Sequence, residues 1–190
     1  MNSFFSREEL LSIGFKSVGE NVLFSRKASV YGVENITIGN NVRIDDFCFL
    51  SGKINIQNYI HISVGSLLFG GSAGITMEDF SGLSPNVIIH AQSDDYSGES
   101  LTNPMTPIEY KNLIDLPVHI GRHVIVGSRA TILPGVVLGE GCSVGAVSLV
   151  VKSTNPWTIN AGIPCKEIKN RSKKLLEHEM KFLSKKQIKD

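Results

Sequence analysis

Aliphatic residues recur at every sixth position over most of the chain. In the second half, six successive hexads carry one in register: Ile120, Val126, Ile132, Leu138, Val144 and Val150. The position two residues earlier is small or β-branched in most of these hexads. A period of six fits neither the 3.6-residue repeat of an α-helix nor the 3.5-residue repeat of a coiled coil. Short strands joined by tight turns do fit it, with three strands in each coil of about 18 residues.

The first half of the chain follows the same rule. Its main run is Ile38, Ile44, Leu50, Ile56, Ile62 and Leu68, and shifted registers add Val18, Met77, Leu83 and Ile89. The pattern predicts an all-β solenoid of triangular cross-section, with the aliphatic side chains stacked inside. A glycine often follows the aliphatic residue, as at Gly39 and Gly121, and we expect it to provide a corner with positive φ.

Both ends of the chain depart from the hexad pattern. Residues 6–9, Ser-Arg-Glu-Glu, form a capping-box sequence before an apolar run, so a short N-terminal helix is expected to cap the solenoid within residues 1–17. The solenoid itself is assigned to residues 18–165. A C-terminal α-helix is expected over residues 166–190, and its apolar face would hold Leu175, Leu176, Met180 and Leu183. The whole chain, 1–190, is predicted to be a single domain.

The hexads stop after Ile89 and resume at Val118. The segment between them contains three prolines, paired aspartates and a glycine, which is the composition of a loop. A loop of this length inside a compact repeat is usually functional or disordered, and a tolerated surface insertion is the alternative. We therefore predict that residues 91–117 protrude from one corner of the solenoid and help to form a substrate cleft.

Composition narrows the functional classes. The net charge of +1 gives no electrostatic argument for nucleic-acid binding, and no apolar run is long enough for a membrane span. Three cysteines without ligand spacing are typical of reduced thiols in a cytoplasmic protein. No pair of histidines has zinc-ligand spacing, so no catalytic metal is expected.

Five segments resemble the hexapeptide-repeat acyltransferases: residues 38–44, 118–127, 132–141, 144–148 and the Ala-Gly-Ile-Pro-Cys-Lys sequence of 161–166. The resemblance covers residues 18–170. It implies a left-handed parallel β-helix with a protruding loop, a homotrimer and active sites between neighbouring subunits. Two branches are similar: the galactoside and maltose O-acetyltransferases, and the N-acetyltransferases of nucleotide-linked amino sugars in surface-polysaccharide pathways.

The start of the loop carries the candidate catalytic residues. In the O-acetyltransferases that this chain resembles, a Pro-Asn-Val entry, here residues 85–87, leads to a catalytic histidine, and the matching position is Asp94. The Ser-Asp-Asp-Tyr-Ser-Gly string of residues 93–98 instead resembles the amino-sugar branch. This departure from histidine changes the chemistry that the site is expected to perform.

A sugar hydroxyl needs a base such as histidine, whereas a neutral amine already has a lone pair and needs mainly orientation and a proton acceptor. Asp94 is therefore our first candidate for the acceptor, and Asp95 offers the like-charged neighbour that favours proton uptake. Asp95 and Tyr96 are candidates for binding the substrate. His90 remains the alternative base, and turn formation remains the alternative role for the two aspartates.

The resemblance also implies an acetyl-CoA site along the C-terminal coils. Small residues there admit the pantetheine arm, and the matching positions are Gly127, Ser128, Ala146 and Ser148. Pro164 marks the exit from the last coil, and the candidate phosphate contacts are Lys152, Lys166 and Lys169. Residues 152–190 hold ten Lys/Arg and four Asp/Glu. This excess of basic residues suits an anionic partner, but it is equally typical of a solvated basic helix.

The sequence thus predicts an acetyl-CoA-dependent acetyltransferase acting on the amino group of a nucleotide-linked amino-deoxy sugar, such as a dTDP- or UDP-4-amino-4,6-dideoxy sugar. Two alternatives remain at this point. One is O-acetylation of a sugar hydroxyl, or transfer of another acyl group. The other is a noncatalytic solenoid scaffold.

Overall fold

The computed structural model describes residues 3–187, which form a three-sided prism of parallel strands with about seven turns. Each side of the prism is one sheet. Sheet I contains β1 (Ser17–Val18), β4 (Ile36–Ile38), β7 (Ile54–Ile56), β10 (Ile75–Met77), β15 (Val118–Ile120) and β18 (Val137–Leu138). Sheet III contains β3 (Ser29–Tyr31), β6 (Phe49–Ser51), β9 (Leu67–Phe69), β12 (Ile88–His90), β17 (Thr131–Ile132) and β20 (Leu149–Val150).

Sheet II is the longest side because the chain folds back on it after the last coil. Its strands are β2 (Leu23–Phe24), β5 (Val42–Ile44), β8 (Ile60–Ile62), β11 (Gly82–Leu83), β16 (Ile125–Val126), β19 (Ser143–Val144), β21 (Thr158–Gly162) and β22 (Cys165–Asn170). Strands β21 and β22 are antiparallel, whereas the other neighbours in this sheet are parallel.

The predicted inward residues form the core. All six members of the second-half run, and the six of the main first-half run, are buried. Residues 18 apart pair in adjacent coils, as Ile36 with Ile54 and Ile120 with Leu138. The position two residues before each inward aliphatic also points inside, which explains why it is small or β-branched.

The predicted reason for the glycines after the inward residues, a positive φ at the corner, is wrong. Positive φ falls two residues later, at Asn41 (φ 57°) and His123 (φ 59°), and not at Gly39 or Gly121. The glycines are needed because neighbouring coils approach closely. A Cβ on Gly39 would lie 2.5 Å from the carbonyl oxygen of Gln57, a distance that no side chain tolerates.

The N-terminal prediction is confirmed by helix α1 (Arg7–Ile13). Ser6 and Glu9 form both hydrogen bonds of the capping box, and Leu10 is buried against the first coil. The C-terminal helix α2 (Leu175–Gln187) begins nine residues later than expected. Residues 166–170 belong to β22, because the chain turns back at residues 162–164 and pairs with β21.

Helix α2 packs on the corner between sheets I and II. Glu179 forms an ion pair with Arg122 and lies at hydrogen-bond distance, 3.0 Å, from Nε2 of His123. The ring of Phe182 meets Tyr59 edge-on at 5.4 Å. Leu175, Leu176 and Leu183 are half-buried, but Met180 is exposed, so the predicted apolar face is correct except at that residue. Within residues 3–187, no helix has the length and apolar character needed to cross a membrane.

Candidate active site

The loop leaves the prism at the corner between sheets III and I, and it is slightly shorter than predicted. Ala91 and Val118 are buried in the coil, so the protruding loop comprises residues 92–115. Strands β13 (Gln92–Ser93) and β14 (Ile114–Asp115) pair antiparallel at its base, and a 3₁₀ turn spans Ile108–Tyr110. The loop is therefore a structured excursion with a fixed root.

Asp115 joins the root of the loop to the coil below. Its carboxylate accepts hydrogen bonds from the hydroxyl of Ser72 and from the backbone N–H of Ala73 at 3.2 Å. Partial burial of Asp115 acts to raise its pKa, but these hydrogen bonds outweigh it and hold the pKa below the usual range for an aspartate. The loop root is thus held by a charged acceptor against the prism.

Two cavities meet at this root. The first, here called the lower cavity, has a volume of about 640 Å³ and is lined by Asn35, Ser51, Lys53, Phe69, His90 and Gln92 among others. The second, the loop cavity, has a volume of about 300 Å³ and is lined by His90, Gln92, Asp94, Tyr96, Lys111 and Leu113 among others. His90 and Gln92 line both, so the two cavities adjoin.

Asp94 lies in the loop cavity and is paired with a lysine that the sequence did not reveal. One carboxylate oxygen is 3.5 Å from the Nζ atom of Lys111, and the other accepts from the backbone N–H of Asn103 at 3.3 Å. Only 9% of the Lys111 side chain is exposed, against 35% for Asp94. The charge neighbour of Asp94 is therefore a buried cation, and the expectation that Asp95 fills this role is wrong.

Asp95 is used by the loop itself. Its carboxylate accepts from the backbone N–H and the hydroxyl of Ser97, both at 2.8 Å, and from the hydroxyl of Ser100 at 2.9 Å. The backbone hydrogen bond and then the hydroxyls lower the pKa of Asp95. These contacts are those of a turn-forming residue, the alternative role that the sequence left open for Asp95. Tyr96, in contrast, is 92% exposed and borders the loop cavity, where a ligand or a neighbouring chain can reach it.

His90 faces outward from sheet III between the two cavities. Its imidazole stacks on the ring of Phe69 at 4.9 Å with an interplanar angle of 6°. Burial lowers the pKa of His90, so the neutral form dominates near neutral pH. The structure therefore brings His90 and Asp94 to the same cavity, and both remain candidates for contact with an acceptor.

Three of the predicted coenzyme residues, Gly127, Ser128 and Ala146, lie at the corner between sheets II and III, here called the coenzyme corner (residues 127–128, 145–147 and 161–164). A Cβ on Gly127 would lie 2.5 Å from the backbone nitrogen of Ala146, and Ser128 accepts from the N–H of Val147 at 2.9 Å. Ser128 is half-buried and Ala146 is exposed. Small residues on adjacent coils, Gly127, Ser128 and Ala146, leave the backbone at this corner open to a ligand beside the exposed Val147.

Ser148 does not fit its prediction. Its side chain points into the prism and is only 3% exposed. The hydroxyl donates to the carbonyl of Gly145 at 2.8 Å and accepts from the N–H of Gly162 at 3.1 Å. It therefore joins two coils and has no free surface for a coenzyme.

The remaining predicted coenzyme residues are exposed but lie in two places. Pro164 is in the turn that forms the last part of the coenzyme corner. This turn stacks on the coil below it, because the N–H of Gly145 donates to the carbonyl of Asn160 and a Cβ on Gly145 would lie 2.8 Å from the Cβ of Ala161. Lys166 and Lys169 follow on β22. Lys152 lies beyond β20, at the corner between sheets III and I, so the structure does not bring it to the other two lysines. Among the described residues, no group of His, Cys, Asp and Glu can hold a metal ion.

Comparison with known proteins places this geometry in context. Residues 117–150 match the model described as "Bacterial transferase hexapeptide (six repeats)". The chain is 49% identical over 177 residues to a dTDP-4-amino-4,6-dideoxy-D-glucose acyltransferase of Escherichia coli, with 92% of each chain covered. It is 32% identical over 151 residues to WbbJ of Escherichia coli K12, a putative lipopolysaccharide biosynthesis O-acetyl transferase, covering 76% of this chain and 74% of that one.

Solved structures of AntD, an N-acyltransferase from Bacillus cereus, superpose with a TM-score of 0.95 at 50% identity, covering 97% of this chain and 100% of AntD. One is an S84A mutant in complex with dTDP-4-amino-4,6-dideoxyglucose and coenzyme A, and another is a D94A mutant with dTDP and coenzyme A. A further AntD structure contains dTDP and 3-hydroxybutyryl-CoA.

Proposed function

The chain belongs to the bacterial hexapeptide-repeat transferases and is an acyltransferase with their left-handed β-helix fold, and from this premise we propose that it moves the acetyl group of acetyl-CoA to the amino group of a nucleotide-linked amino-deoxy sugar. The scaffold alternative is wrong, because the similarity to an acyltransferase covers 92% of the chain. The names of the Escherichia coli acyltransferase and of the AntD complex support a dTDP-4-amino-4,6-dideoxy sugar as the acceptor. The similarity to WbbJ, a putative lipopolysaccharide biosynthesis enzyme, supports a place in surface-polysaccharide synthesis.

The proposed reaction is a direct transfer. The lone pair of the sugar amine adds to the thioester carbonyl carbon and forms the C–N bond. The nitrogen becomes cationic in this step and must lose one proton. Asp94 is the proposed proton acceptor, because its carboxylate lines the loop cavity beside His90. The C–S bond then breaks, coenzyme A leaves as the thiolate, and solvent carries the proton from Asp94 to it.

The observation that carries the choice of an amine is the ion pair between Asp94 and Lys111. The Lys111 ammonium holds the Asp94 carboxylate at the edge of the loop cavity. The cationic nitrogen of the addition intermediate is a strong acid and can give its proton to a carboxylate at this place. A sugar hydroxyl is a very weak acid, and its deprotonation needs a base such as histidine.

The positions of Asp94 and of the coenzyme corner support active sites that are shared between chains. Asp94 follows one end of β12, at the corner between sheets III and I, whereas the coenzyme corner lies beyond the other end of that strand. The AntD substitutions S84A and D94A fall at numbers where this chain has Ser84 and Asp94, one at each of these corners. We infer that the loop of one subunit meets the coenzyme corner of the next, in a homotrimer.

Exposed apolar side chains on the loop support this assembly. Leu101, Met105, Ile108 and Tyr110 are all more than half exposed, and Val147 is equally exposed at the coenzyme corner. Burying these groups between chains removes apolar surface from water. The three cysteines are unpaired, which is consistent with a reducing compartment, and we place the reaction in the cytoplasm.

The acceptor is tested with two sugar nucleotides that differ at one atom. The protein is incubated with acetyl-CoA and either dTDP-4-amino-4,6-dideoxyglucose or dTDP-6-deoxyglucose, which has a hydroxyl at the same carbon. We expect release of the coenzyme thiol and an acetylated product with the amine alone. Equal turnover of the hydroxyl compound would contradict N-acetylation and would favour the O-acetylation suggested by the similarity to WbbJ.

The acyl group is tested in the same assay. AntD was crystallised with 3-hydroxybutyryl-CoA, so a larger acyl donor is a specific second candidate. A higher kcat/KM with acetyl-CoA than with 3-hydroxybutyryl-CoA supports the proposal. A higher kcat/KM with 3-hydroxybutyryl-CoA would leave the proposed acceptor unchanged and would contradict acetyl-CoA as the donor.

A further inference from the structure

One glycine of sheet II is not required by the fold. Every other glycine within residues 3–187 has either a positive φ or a neighbouring atom closer than 3.0 Å to the position that its Cβ would occupy. Gly82 has neither, and the atom nearest to its Cβ position is the carbonyl oxygen of His61 at 3.6 Å. A glycine inside a strand weakens the strand. The absence of a side chain at this position therefore needs a reason outside the fold.

Gly82 leaves a gap in a column of larger side chains on the outer face of sheet II. It pairs with His61 in the coil below and with Ile125 in the coil above, and both of these side chains are about half exposed. The gap opens a space of about 370 Å³, here called the Gly82 cavity, lined by His61, Ser63, Gly82, Ser84, Pro85 and Ile125 among others. This volume is within the range of ligand sites.

We propose that the Gly82 cavity receives the acyl chain of the donor thioester, and that the missing side chain admits chains longer than acetyl, such as butyryl. This inference rests on the proposed function, because it takes the reacting thioester to lie between the coenzyme corner and the loop of a neighbouring chain. Ser84 and Pro85 border the cavity one coil below that corner, where the N–H of Arg129 donates to the carbonyl of Pro85 at 3.1 Å.

The height of the cavity along the prism matches that of the proposed proton acceptor. Gly82 lies on β11, and the same coil continues through β12 to Asp94. In a trimer whose three-fold axis runs along the prisms, equal coils lie at equal heights, so Asp94 of one chain meets the corner beside Gly82 of the next. A coenzyme that lies along the upper coils then presents its thioester at the cavity, and the methyl of an acetyl group fills only a small part of it.

The walls of the cavity suit a short acyl chain, with or without a hydroxyl group. Pro85 and Ile125 provide apolar surface. Ser63 is only 9% exposed, and within residues 3–187 its hydroxyl forms no hydrogen bond. A buried hydroxyl without a partner is costly, and a hydroxyl on the acyl chain would supply one. A further cavity of about 440 Å³ under α2 also contains Gly82 and Ile125 in its lining, so the space adjoins a second one across the glycine.

The test compares Gly82→Val with Ser143→Val, with acetyl-CoA and butyryl-CoA as donors. Ser143 lies in the same outer column, two coils above Gly82, and lines neither of these two cavities. The wild type should use butyryl-CoA with a kcat/KM within about tenfold of that for acetyl-CoA, because the cavity has room for the chain. Gly82→Val should lower the value for butyryl-CoA by about tenfold or more and that for acetyl-CoA by less than about twofold. Ser143→Val should behave as the wild type.

Gly82→Ala keeps the inference testable if valine impairs folding. Its smaller side chain should give a smaller loss with butyryl-CoA in the same direction. Titration calorimetry adds a measurement that needs no acceptor. The wild type should bind butyryl-CoA at least as tightly as coenzyme A, and both Gly82 variants should weaken the binding of butyryl-CoA alone.

The outcomes separate this inference from the proposed function. If no dTDP-amino sugar is acylated but calorimetry gives the expected pattern, the proposed function fails and the acyl site is supported. If the wild type acylates the sugar but excludes butyryl-CoA, or if the Gly82 variants and Ser143→Val treat the two donors alike, only the inference is overturned. It is likewise overturned if Gly82→Val raises the KM for the sugar alone, because the cavity would then hold the acceptor.

Discussion

Lys111 and Asp94 form an ion pair at 3.5 Å inside the protruding loop, with the lysine side chain almost fully buried. The same ammonium donates to the carbonyl oxygen of Asn103 at 2.9 Å, and the N–H of Asn103 donates to Asp94. The three groups form a closed arrangement that fixes the carboxylate at the edge of the loop cavity. Lys111 is therefore a positioning residue for the proposed proton acceptor.

Removal of the Lys111 charge should lower kcat. Lys111→Met keeps the buried stem but frees the Asp94 carboxylate, and we expect kcat to fall by about tenfold or more, while the KM for acetyl-CoA stays within about twofold. Lys111→Arg retains a cation and should recover part of the loss. Steady-state kinetics of both variants measure this. Equal kcat in Lys111→Met and the wild type would exclude the positioning role.

The stability of the protein should depend on His90 below neutral pH. Burial lowers the pKa of His90 in the folded state, so the unfolded chain binds its proton at a higher pH than the folded one. This preference destabilises the fold as the pH falls through the unfolded value of about 6.5. His90→Phe keeps a ring against Phe69 and cannot bind a proton. Its melting temperature should therefore decrease less than that of the wild type between pH 7.5 and 5.5, and parallel curves would contradict the account.

Gly39 should be required, because neighbouring coils approach closely there, whereas Gly82 should be replaceable by alanine. A Cβ on Gly39 would lie 2.5 Å from a backbone oxygen, whereas on Gly82 the nearest atom, the carbonyl oxygen of His61, is 3.6 Å away. Gly39→Ala should lower the free energy of unfolding by about 1–3 kcal/mol, the usual cost of overpacking. Gly82→Ala serves as the matched control and should change it by less. Chemical denaturation of both variants measures the difference, and similar losses would refute the close-approach explanation.

Much of the fold could be predicted from the hexad period, because inward residues of a solenoid repeat in register along the chain. The same register placed Ser148 inside, two residues before Val150, so its burial was already indicated by the sequence. The start of α2 was misplaced because residues 166–170 pair with β21, and a hairpin of this kind depends on a turn that the helical pattern does not reveal.

The site was less predictable than the fold. Asp94 and His90 could be proposed from the sequence, because they stand near the interruption of the repeat and Asp94 matches the histidine position of the family that the chain resembles. Lys111 was missed, because it reaches the loop cavity only after the loop has folded back on the prism. A loop without periodicity has no register, so its sequence does not show which of its side chains will line a cavity. Asp94 and Asp95 are adjacent in the sequence, and only their partners in the structure distinguish them: Lys111 for Asp94 and Ser97 for Asp95.

If the active sites are shared between subunits, mixing two inactive variants of the protein should restore activity. Asp94→Asn removes the proton acceptor and leaves the coenzyme corner intact, whereas Ala146→Glu places a charged side chain at that exposed corner. Co-refolded at equal amounts, the two variants should regain about a quarter of wild-type activity, since one site in four then receives both intact halves. Activity no higher than that of the separate variants would show that each site lies within one chain.

The most direct measurement of the central claim is the turnover of Asp94→Asn with its coenzyme affinity determined alongside. Asparagine preserves the shape of the side chain but cannot accept the proton. We predict that kcat for the dTDP-amino sugar falls by about 100-fold or more, the usual contribution of a general base, while calorimetry shows unchanged binding of coenzyme A. Near-normal turnover in this variant would contradict the assignment of Asp94 and leave His90 as the base.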